Sequence, residues 1–137
     1  MKFVFRSGTA VAAAFGAWLV AAPAQGAELL MVESPGCSYC IEWKRVIGPI
    51  YPKTEAGKFA PVTIIDISEE APFEGGYTQP VVYTPTFVIV DDGQEVGRIL
   101  GYNGEDFFWP ILEKLLEDTT EFRQSGDHIH PQEKTGT

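Results

Sequence analysis

Basic residues and cysteines are scarce in this chain, and no long apolar run occurs after residue 26. The 137 residues include 10 Lys and Arg against 19 Asp and Glu, which gives a formal net charge of −9. Such a surface disfavours nucleic acid and anionic membranes, because binding phosphate depends on clustered Lys and Arg. No stretch after residue 26 is long and apolar enough to cross a bilayer. The sequence has no nicotinamide or flavin motif, and we expect no cofactor.

The first 26 residues have the layout of a secretory signal peptide. Lys2 and Arg6 supply a basic start, residues 7–22 are apolar or small, and small residues follow. Cleavage after Ala24 and cleavage after Gly26 fit equally well. The alternative is an uncleaved membrane anchor, but the apolar run of 16 residues is shorter than the ~20 that a spanning helix needs. We therefore expect export to an oxidising compartment, with no stable membrane insertion after processing.

Removal of this leader leaves about 111 residues, enough for one compact domain. The leader contains two basic residues and no acidic ones, so the formal charge becomes −11, from 8 Lys and Arg against 19 Asp and Glu. We predict a folded domain over 27–120 and a disordered acidic and polar tail over 121–137. His128 and His130 in this tail could share a metal ion, but two ligands make a poor site, and no metal centre is predicted.

Cys37 and Cys40, the only two cysteines, stand in a C-x-x-C spacing after the short apolar run 28–33. If the chain is helical from Ser38, Cys37 lies at the helix N-terminus, where free N–H groups and the helix dipole stabilise a thiolate. Cys40 is about one turn later on the same face, so its sulfur can reach back. A purely structural staple is the alternative, but this spacing closes too small a loop to restrict the unfolded chain much. The motif therefore predicts thiol–disulfide exchange.

The rest of the chain reads as alternating strands and helices. The predicted strands are 28–33, 62–67, 86–90 and 94–100, and the predicted helices are 38–47 and 105–119. A hairpin turn is expected at 91–93, and 68–82 is expected to hold at most a short helix. This order predicts a mixed α/β sheet, in which a parallel strand pair is joined to a hairpin and helices cover both faces. The strand at 62–67 is expected to be buried, and Trp43 to lie in the core.

Four motifs carry a resemblance to a known family. They are Cys37-Ser38-Tyr39-Cys40 after the first strand, Thr84-Pro85-Thr86 before the hairpin, Asp92-Gly93 at its turn, and Gly101 with Gly104 before the last helix. With them, residues 28–119 resemble a thioredoxin-like fold, a single domain with a central mixed sheet flanked by helices. More narrowly, segments 46–54 and 101–108 resemble the periplasmic thioredoxin-like proteins associated with bacterial sulfur oxidation.

The resemblance implies a monomeric protein thiol–disulfide oxidoreductase in the periplasm. In this family the proline equivalent to Pro85 has a cis peptide bond and packs against the cysteine pair, and the backbone before it pairs with an extended substrate. Cys37 is predicted to be the attacking nucleophile and Cys40 the resolving thiol. The predicted substrate-binding residues are Gly36, Ser38, Tyr39, Thr84, Pro85 and Gly101.

Two departures from thioredoxin bear on the chemistry. Thioredoxins carry a buried Asp six residues before the first cysteine, and this position is Met31 here. Glu33 is the only carboxylate nearby in sequence, and it is either a proton acceptor acting through water or an ordinary solvated residue. Ser38 and Tyr39 replace the Gly-Pro of thioredoxin. This pair, with Thr84 before the proline, resembles disulfide isomerase and reductase domains, and favours a protein that is kept reduced.

The sequence thus predicts a reductant of disulfides or blocked thiols in specific exported proteins. The resemblance indicates sulfur-oxidation carrier proteins as substrates and an inner-membrane thiol–disulfide protein as electron donor. One alternative is a disulfide oxidase or isomerase with the same two cysteines. A second alternative is a periplasmic copper-binding protein, because soft thiolates also bind that metal.

Overall fold

The computed structural model describes residues 26–125, which are built on a mixed sheet of four strands. The strands are β1 (Glu28–Glu33), β2 (Val62–Asp66), β3 (Thr86–Asp91) and β4 (Gln94–Leu100). Their order across the sheet is β2-β1-β3-β4. β1 is parallel to β2 and antiparallel to β3, and β3 is antiparallel to β4. The predicted parallel pair, hairpin and mixed sheet are confirmed.

In this part of the chain, three helices accompany the sheet: α1 (Ser38–Val46), α2 (Glu55–Phe59) and α3 (Glu105–Thr119). A single 3-10 turn (Tyr51–Lys53) lies between α1 and α2. The two long helices begin where the sequence predicted them, and α1 ends one residue earlier than expected. Within the described residues, none of these helices has both the length and the apolarity that crossing a bilayer requires.

Both long helices pack on one face of the sheet. Leu29 and Met31 of β1 point to this face and are fully buried against the helices. Trp43 of α1 is 1% exposed, and its ring centroid lies 5.3 Å from that of Phe87 on β3 and 5.7 Å from that of Phe108 on α3. The aromatic cluster therefore joins α1, α3 and the sheet, and the prediction of Trp43 as a core residue is confirmed.

The opposite face of the sheet is covered by an irregular segment rather than by a helix. Leu30, Val32, Val88 and Val90 form a second cluster there. The segment 67–81 packs against them through Ile67, Phe73, Tyr77 and Val81. The prediction of helices on both faces was therefore wrong. Several prolines and glycines prevent a helix in this segment, yet its few apolar side chains are enough to cover the second cluster.

An ion pair on β4 anchors this irregular segment. Arg98 Nε lies 2.5 Å from Glu95 Oε1, and the two side chains are 19% and 3% exposed. Arg98 also donates to the carbonyl oxygen of Gln79 (2.9 Å), and Glu95 Oε2 accepts the N–H of Thr78 (2.8 Å). Burial raises the pKa of Glu95, but the hydrogen bonds from Arg98 and Thr78 outweigh burial and leave the pKa below its usual value. The Glu95 carboxylate is thus charged at neutral pH, and the ion pair holds segment 67–81 through the main-chain groups of Thr78 and Gln79.

Two further predictions need correction. Within residues 26–125, β2 pairs only with β1 and is an edge strand rather than a buried one: Thr63 and Ile64 are exposed, and of its residues only Ile65 is buried. The folded domain also continues past residue 120, where the disordered tail was expected to begin. Phe122 is 3% exposed, with its ring centroid 5.2 Å from that of Phe59, and the N–H of Ser125 donates to Glu55 Oε2 (3.0 Å). Residues 126–137, which include both histidines, and residues 1–25 lie outside the described part of the chain.

Gly57 in α2 has no room for a side chain, because a Cβ there would overlap the carbonyl oxygen of Tyr51. We expect Gly57→Ala to lower the free energy of unfolding by about 2 kcal/mol through overpacking, although alanine is the better helix former by about 1 kcal/mol. Gly75→Ala is the matched control, since its Cβ would meet only the flexible Gln94 side chain. Urea unfolding of both variants measures the difference, and equal stabilities would contradict the expectation.

Candidate active site

A tight turn delivers Cys37 from the end of β1 to the start of α1. The N–H of Cys37 donates to the carbonyl oxygen of Ser34 (3.2 Å), and Gly36 has φ +76°. Proline in the second position and glycine with positive φ in the third are typical of a type II turn. Pro35 and Gly36 meet both requirements, so the four residues 34–37 determine where Cys37 lies relative to the end of β1.

Cys37 is the N-cap residue of α1. Its backbone is extended, and its Sγ accepts the N–H of Cys40 at 3.1 Å. This is the position at which a side chain satisfies an N–H that the helix leaves free. The first turn of α1 has no acidic residue, and Lys44 and Arg45 lie in the last turn. The two basic residues suit the negative end of the helix dipole, and the absence of a carboxylate leaves its positive end free to stabilise a thiolate sulfur.

Cys37 and Cys40 form a disulfide, with their Cα atoms 5.2 Å apart. The two cysteines differ sharply in accessibility. Cys37 is partly exposed, whereas Cys40 is 1% exposed and belongs to the core cluster under α1. A partner molecule can therefore approach the sulfur of Cys37 but not that of Cys40.

The Thr84–Pro85 peptide bond is cis, and the two residues lead into β3. The carbonyl oxygen of Pro85 accepts the N–H of Gly101 (2.8 Å), which joins Gly101 to this segment. Thr84 Oγ1 lies 2.7 Å from Ser34 Oγ, so the segment also contacts the turn that carries Cys37. The structure thus brings the cysteine turn, Thr84-Pro85 and Gly101 together.

The rim of the site is apolar and exposed. Gly36 and Ser38 are exposed, and Tyr39 is 63% exposed beside the disulfide. Val82 and Tyr83, which directly precede Thr84, are 68% and 67% exposed. Exposed apolar side chains next to Cys37 and next to Thr84 are available for contact with another molecule.

A groove of about 540 Å³ begins at Tyr39 and runs between α1 and the loop before α3. Glu42 and Arg45 line it from α1, Tyr102 from the loop, and Glu105 from the start of α3. Burial raises the pKa of Tyr102, and the carboxylates of Glu105 and Glu42 raise it further. The Tyr102 hydroxyl therefore keeps its proton at neutral pH and can donate a hydrogen bond.

The two positions that depart from thioredoxin have clear surroundings. Met31 is fully buried in the core cluster that also contains Cys40, so an apolar thioether stands where thioredoxins have a carboxylate. Glu33 lies at the end of β1, with a side chain that is 26% exposed. Its Oε2 accepts a hydrogen bond from Lys44 Nζ at 2.5 Å, an ion pair that joins β1 to α1.

Sequence reasoning missed Ser34 and Lys44 at this site. Ser34 is 50 residues from Thr84 in the chain, and Lys44 is 11 residues from Glu33. The only signal for Ser34 is a hydroxyl residue immediately before Pro35, mirrored by a second hydroxyl residue before Pro85. Nothing local in the sequence indicates that these two hydroxyl groups meet.

The fold and the disulfide define a thiol–disulfide oxidoreductase with a thioredoxin-like fold. Residues 17–116 match the family described as "Thioredoxin-like domain". The chain belongs to this family, as the sequence predicted.

Comparison with solved structures gives a more specific likeness. The chain is similar to the periplasmic thioredoxin SoxS from Paracoccus pantotrophus, in its reduced form, with 45% identity and a TM-score of 0.63 over 66% of this chain and 96% of that chain. Thioredoxin from Fasciola hepatica matches with 16% identity and a TM-score of 0.48, over 65% of this chain and 80% of that chain. A thioredoxin-fold protein from Helicobacter pylori matches with 21% identity and a TM-score of 0.45, over 69% of each chain.

Proposed function

We propose that this protein is a periplasmic reductant of disulfides or blocked thiols in specific exported proteins. The observation that carries the proposal is the asymmetry of the cysteine pair. Cys37 is partly exposed at the N-terminus of α1, and its disulfide partner Cys40 is buried behind it. One sulfur is placed to meet a partner molecule and the other to complete the exchange.

In the proposed cycle, the Cys37 thiolate attacks one sulfur of the partner disulfide, and the other partner sulfur leaves as a thiolate and takes up a proton. The Cys40 thiol then loses its proton and attacks Cys37 Sγ. This step releases the second partner sulfur and forms the Cys37–Cys40 disulfide. The partner gains two electrons and two protons in total. An inner-membrane thiol–disulfide protein returns two electrons to the pair and restores both thiols.

Accessibility contributes more to this cycle than acidity. A thiol whose pKa falls from ~8.5 to ~7 is about 15-fold more ionised at pH 7. Its lower nucleophilicity removes about fivefold of that gain, which leaves a net factor of only ~3. Since Cys40 is buried, the difference in exposure between the two sulfurs decides which one a substrate meets.

We assign substrate binding to Gly36, Ser38, Tyr39, Thr84, Pro85 and Gly101. Thr84 lies outside the strands and helices, and among the described residues neither its N–H nor its C=O forms a hydrogen bond with another main-chain group. Pro85 has no N–H to donate. An extended segment of a partner could therefore pair with Thr84 while its disulfide lies over Cys37. The exposed side chains of Tyr39, Val82 and Tyr83 would contact the apolar residues of that segment.

Glu33 is the proton acceptor that we propose for Cys40, acting through water. The ion pair with Lys44 supports this role, because α1 carries Lys44 one turn after Cys40 and so holds the carboxylate near the side of the helix that bears the resolving thiol. Met31 has no group that could take the proton.

We further propose that residues 1–26 are a signal peptide cleaved after Ala24 or Gly26, and that the mature protein is a periplasmic monomer. The 45% identity to a periplasmic thioredoxin supports this location. The resemblance of segments 46–54 and 101–108 to proteins associated with sulfur oxidation favours sulfur-oxidation carrier proteins as the exported substrates.

The reduction potential of the cysteine pair tests the direction of electron flow. We expect a value nearer to the −270 mV of a thioredoxin than to the −120 mV of a strong oxidant. The protein is equilibrated in thiol–disulfide buffers, and the fraction of Cys37–Cys40 disulfide is measured after alkylation. The double variant Cys37→Ser/Cys40→Ser is the control and shows no redox-dependent shift. A value near −120 mV would instead favour the oxidase, and stoichiometric copper retention without turnover would favour the copper-binding protein.

A further inference from the structure

One side-chain contact joins the cysteine turn to the residue before the cis-proline. Ser34 Oγ and Thr84 Oγ1 are 2.7 Å apart, and both side chains are partly buried. The two residues are separated by 50 positions in the chain. This contact therefore spans the two segments between which a substrate disulfide would have to fit.

Ser34 is itself fixed to the nucleophile. Its carbonyl oxygen accepts the N–H of Cys37, so a shift of Ser34 also shifts the turn that carries the sulfur. Its side chain and its main chain thus act on different partners. The side chain reaches Thr84, and the main chain holds Cys37.

Thr84 is held differently on its two sides. After it, the carbonyl oxygen of Pro85 is fixed by the N–H of Gly101. Before it, the side chains of Val82 and Tyr83 are exposed, and the carbonyl oxygen of Tyr83 accepts a hydrogen bond from Thr86 Oγ1 (2.7 Å). Among the hydrogen bonds of residues 26–125, the contact with Ser34 is the one that connects Thr84 to the cysteine turn. Its loss would remove the side-chain link that sets Thr84 relative to that turn.

We propose that Ser34 is a positioning residue for protein substrates. Its hydroxyl group sets the separation between the main chain of Thr84 and the sulfur of Cys37, so that one extended segment can reach both. This inference rests on the proposed reductase function, in which Thr84 pairs with the substrate. It distinguishes two classes of substrate, because a small disulfide meets only Cys37 and does not need Thr84.

Steady-state reduction of insulin and of hydroxyethyl disulfide tests the inference, with the full chain after removal of the leader. Loss of one ordinary hydrogen bond corresponds to a change of about threefold to tenfold. We expect Ser34→Ala to raise KM for insulin by about that factor, with kcat and the rate with hydroxyethyl disulfide unchanged. Ser34→Thr keeps the hydroxyl group and should restore KM. Thr119→Val removes another threonine hydroxyl, which donates to the carbonyl oxygen of Leu115 near the end of α3, and should leave KM unchanged.

Thr84→Val removes the same contact from the other side and keeps the shape of the side chain. It should raise KM for insulin, and the double variant Ser34→Ala/Thr84→Val should be no worse than Thr84→Val alone, because both changes break one bond. If Ser34→Ala fails to fold, Thr84→Val alone still provides the measurement. The inference is overturned if the two effects multiply, if KM does not change, or if Ser34→Ala slows both substrates equally. A wild-type protein that reduces neither insulin nor hydroxyethyl disulfide would overturn the proposed function, and this inference with it.

Discussion

Cys40→Ser is expected to accumulate as a covalent complex with its substrate, linked through Cys37, while Cys37→Ser forms no complex and falls to the uncatalysed background. The reason is the arrangement of the two sulfurs. A substrate can reach only Cys37, which is partly exposed, and only the buried Cys40 can release it again. Without the resolving thiol, the exchange stops at the mixed disulfide. Mass spectrometry of the variants after incubation with an oxidised protein measures the complex and the residue that carries it.

The double variant Cys37→Ser/Cys40→Ser reports the background of this experiment, and Thr119→Val, near the end of α3, serves as the control for an unrelated substitution. Applied to a periplasmic extract, the same trap on Cys37 identifies the physiological partner. Complex formation by Cys37→Ser at a rate similar to that of Cys40→Ser would contradict the assignment, because it would mean that the inner sulfur attacks substrates directly.

Arg98→Met is expected to lower the free energy of unfolding by about 3 kcal/mol at pH 7, because it leaves a buried carboxylate without its partner. The side chain of Glu95 is 3% exposed and would retain only the N–H of Thr78. The same change also frees the carbonyl oxygen of Gln79, so the segment 67–81 loses one of its attachments to β4. Urea unfolding measures the loss. Arg45→Met is the matched control, since its ion pair with Glu42 is exposed and contributes little.

Acidification should narrow the difference between Arg98→Met and the wild type. In the wild type the pKa of Glu95 is lowered on folding. Its contribution to the free energy of unfolding is therefore fully present above the pKa that Glu95 has in the unfolded chain, and it is lost as the pH falls through the pKa in the folded protein. In the variant, burial without Arg98 favours the protonated carboxyl group and raises the pKa of Glu95 in the folded protein. The free energy of unfolding of the variant therefore increases as the pH falls toward 4. A difference that stays constant from pH 7 to pH 4 would contradict the buried-pair explanation.

The cysteine site could be predicted from sequence because its determinants are local. Pro35 and Gly36 specify a turn, and the helical pattern that follows places Cys37 at a helix N-terminus with Cys40 one turn later. The hairpin at Asp92-Gly93 is local in the same way. Each of these features depends on residues within a few positions of one another, and the structure has all of them.

The features that sequence reasoning missed depend on contacts between distant residues. The segment 67–81 has the composition of a loop, and only its packing on Leu30, Val32, Val88 and Val90 makes it part of the core. β2 looks fully buried because its residues are β-branched and apolar, but its place at the edge of the sheet leaves Thr63 and Ile64 exposed, and only Ile65 reaches the second cluster. Phe122 is one aromatic residue in a polar stretch, and no periodicity indicates that it packs on Phe59. The contact between Ser34 and Thr84 is of the same kind.

Timed alkylation of the reduced wild-type protein with iodoacetamide, followed by peptide mapping, tests the central claim most directly. If Cys37 alone presents its sulfur to other molecules, the label should appear on Cys37 first, and Cys40 should be labelled only after urea has unfolded the chain. Labelling of Cys40 in the folded protein as fast as that of Cys37 would contradict the account.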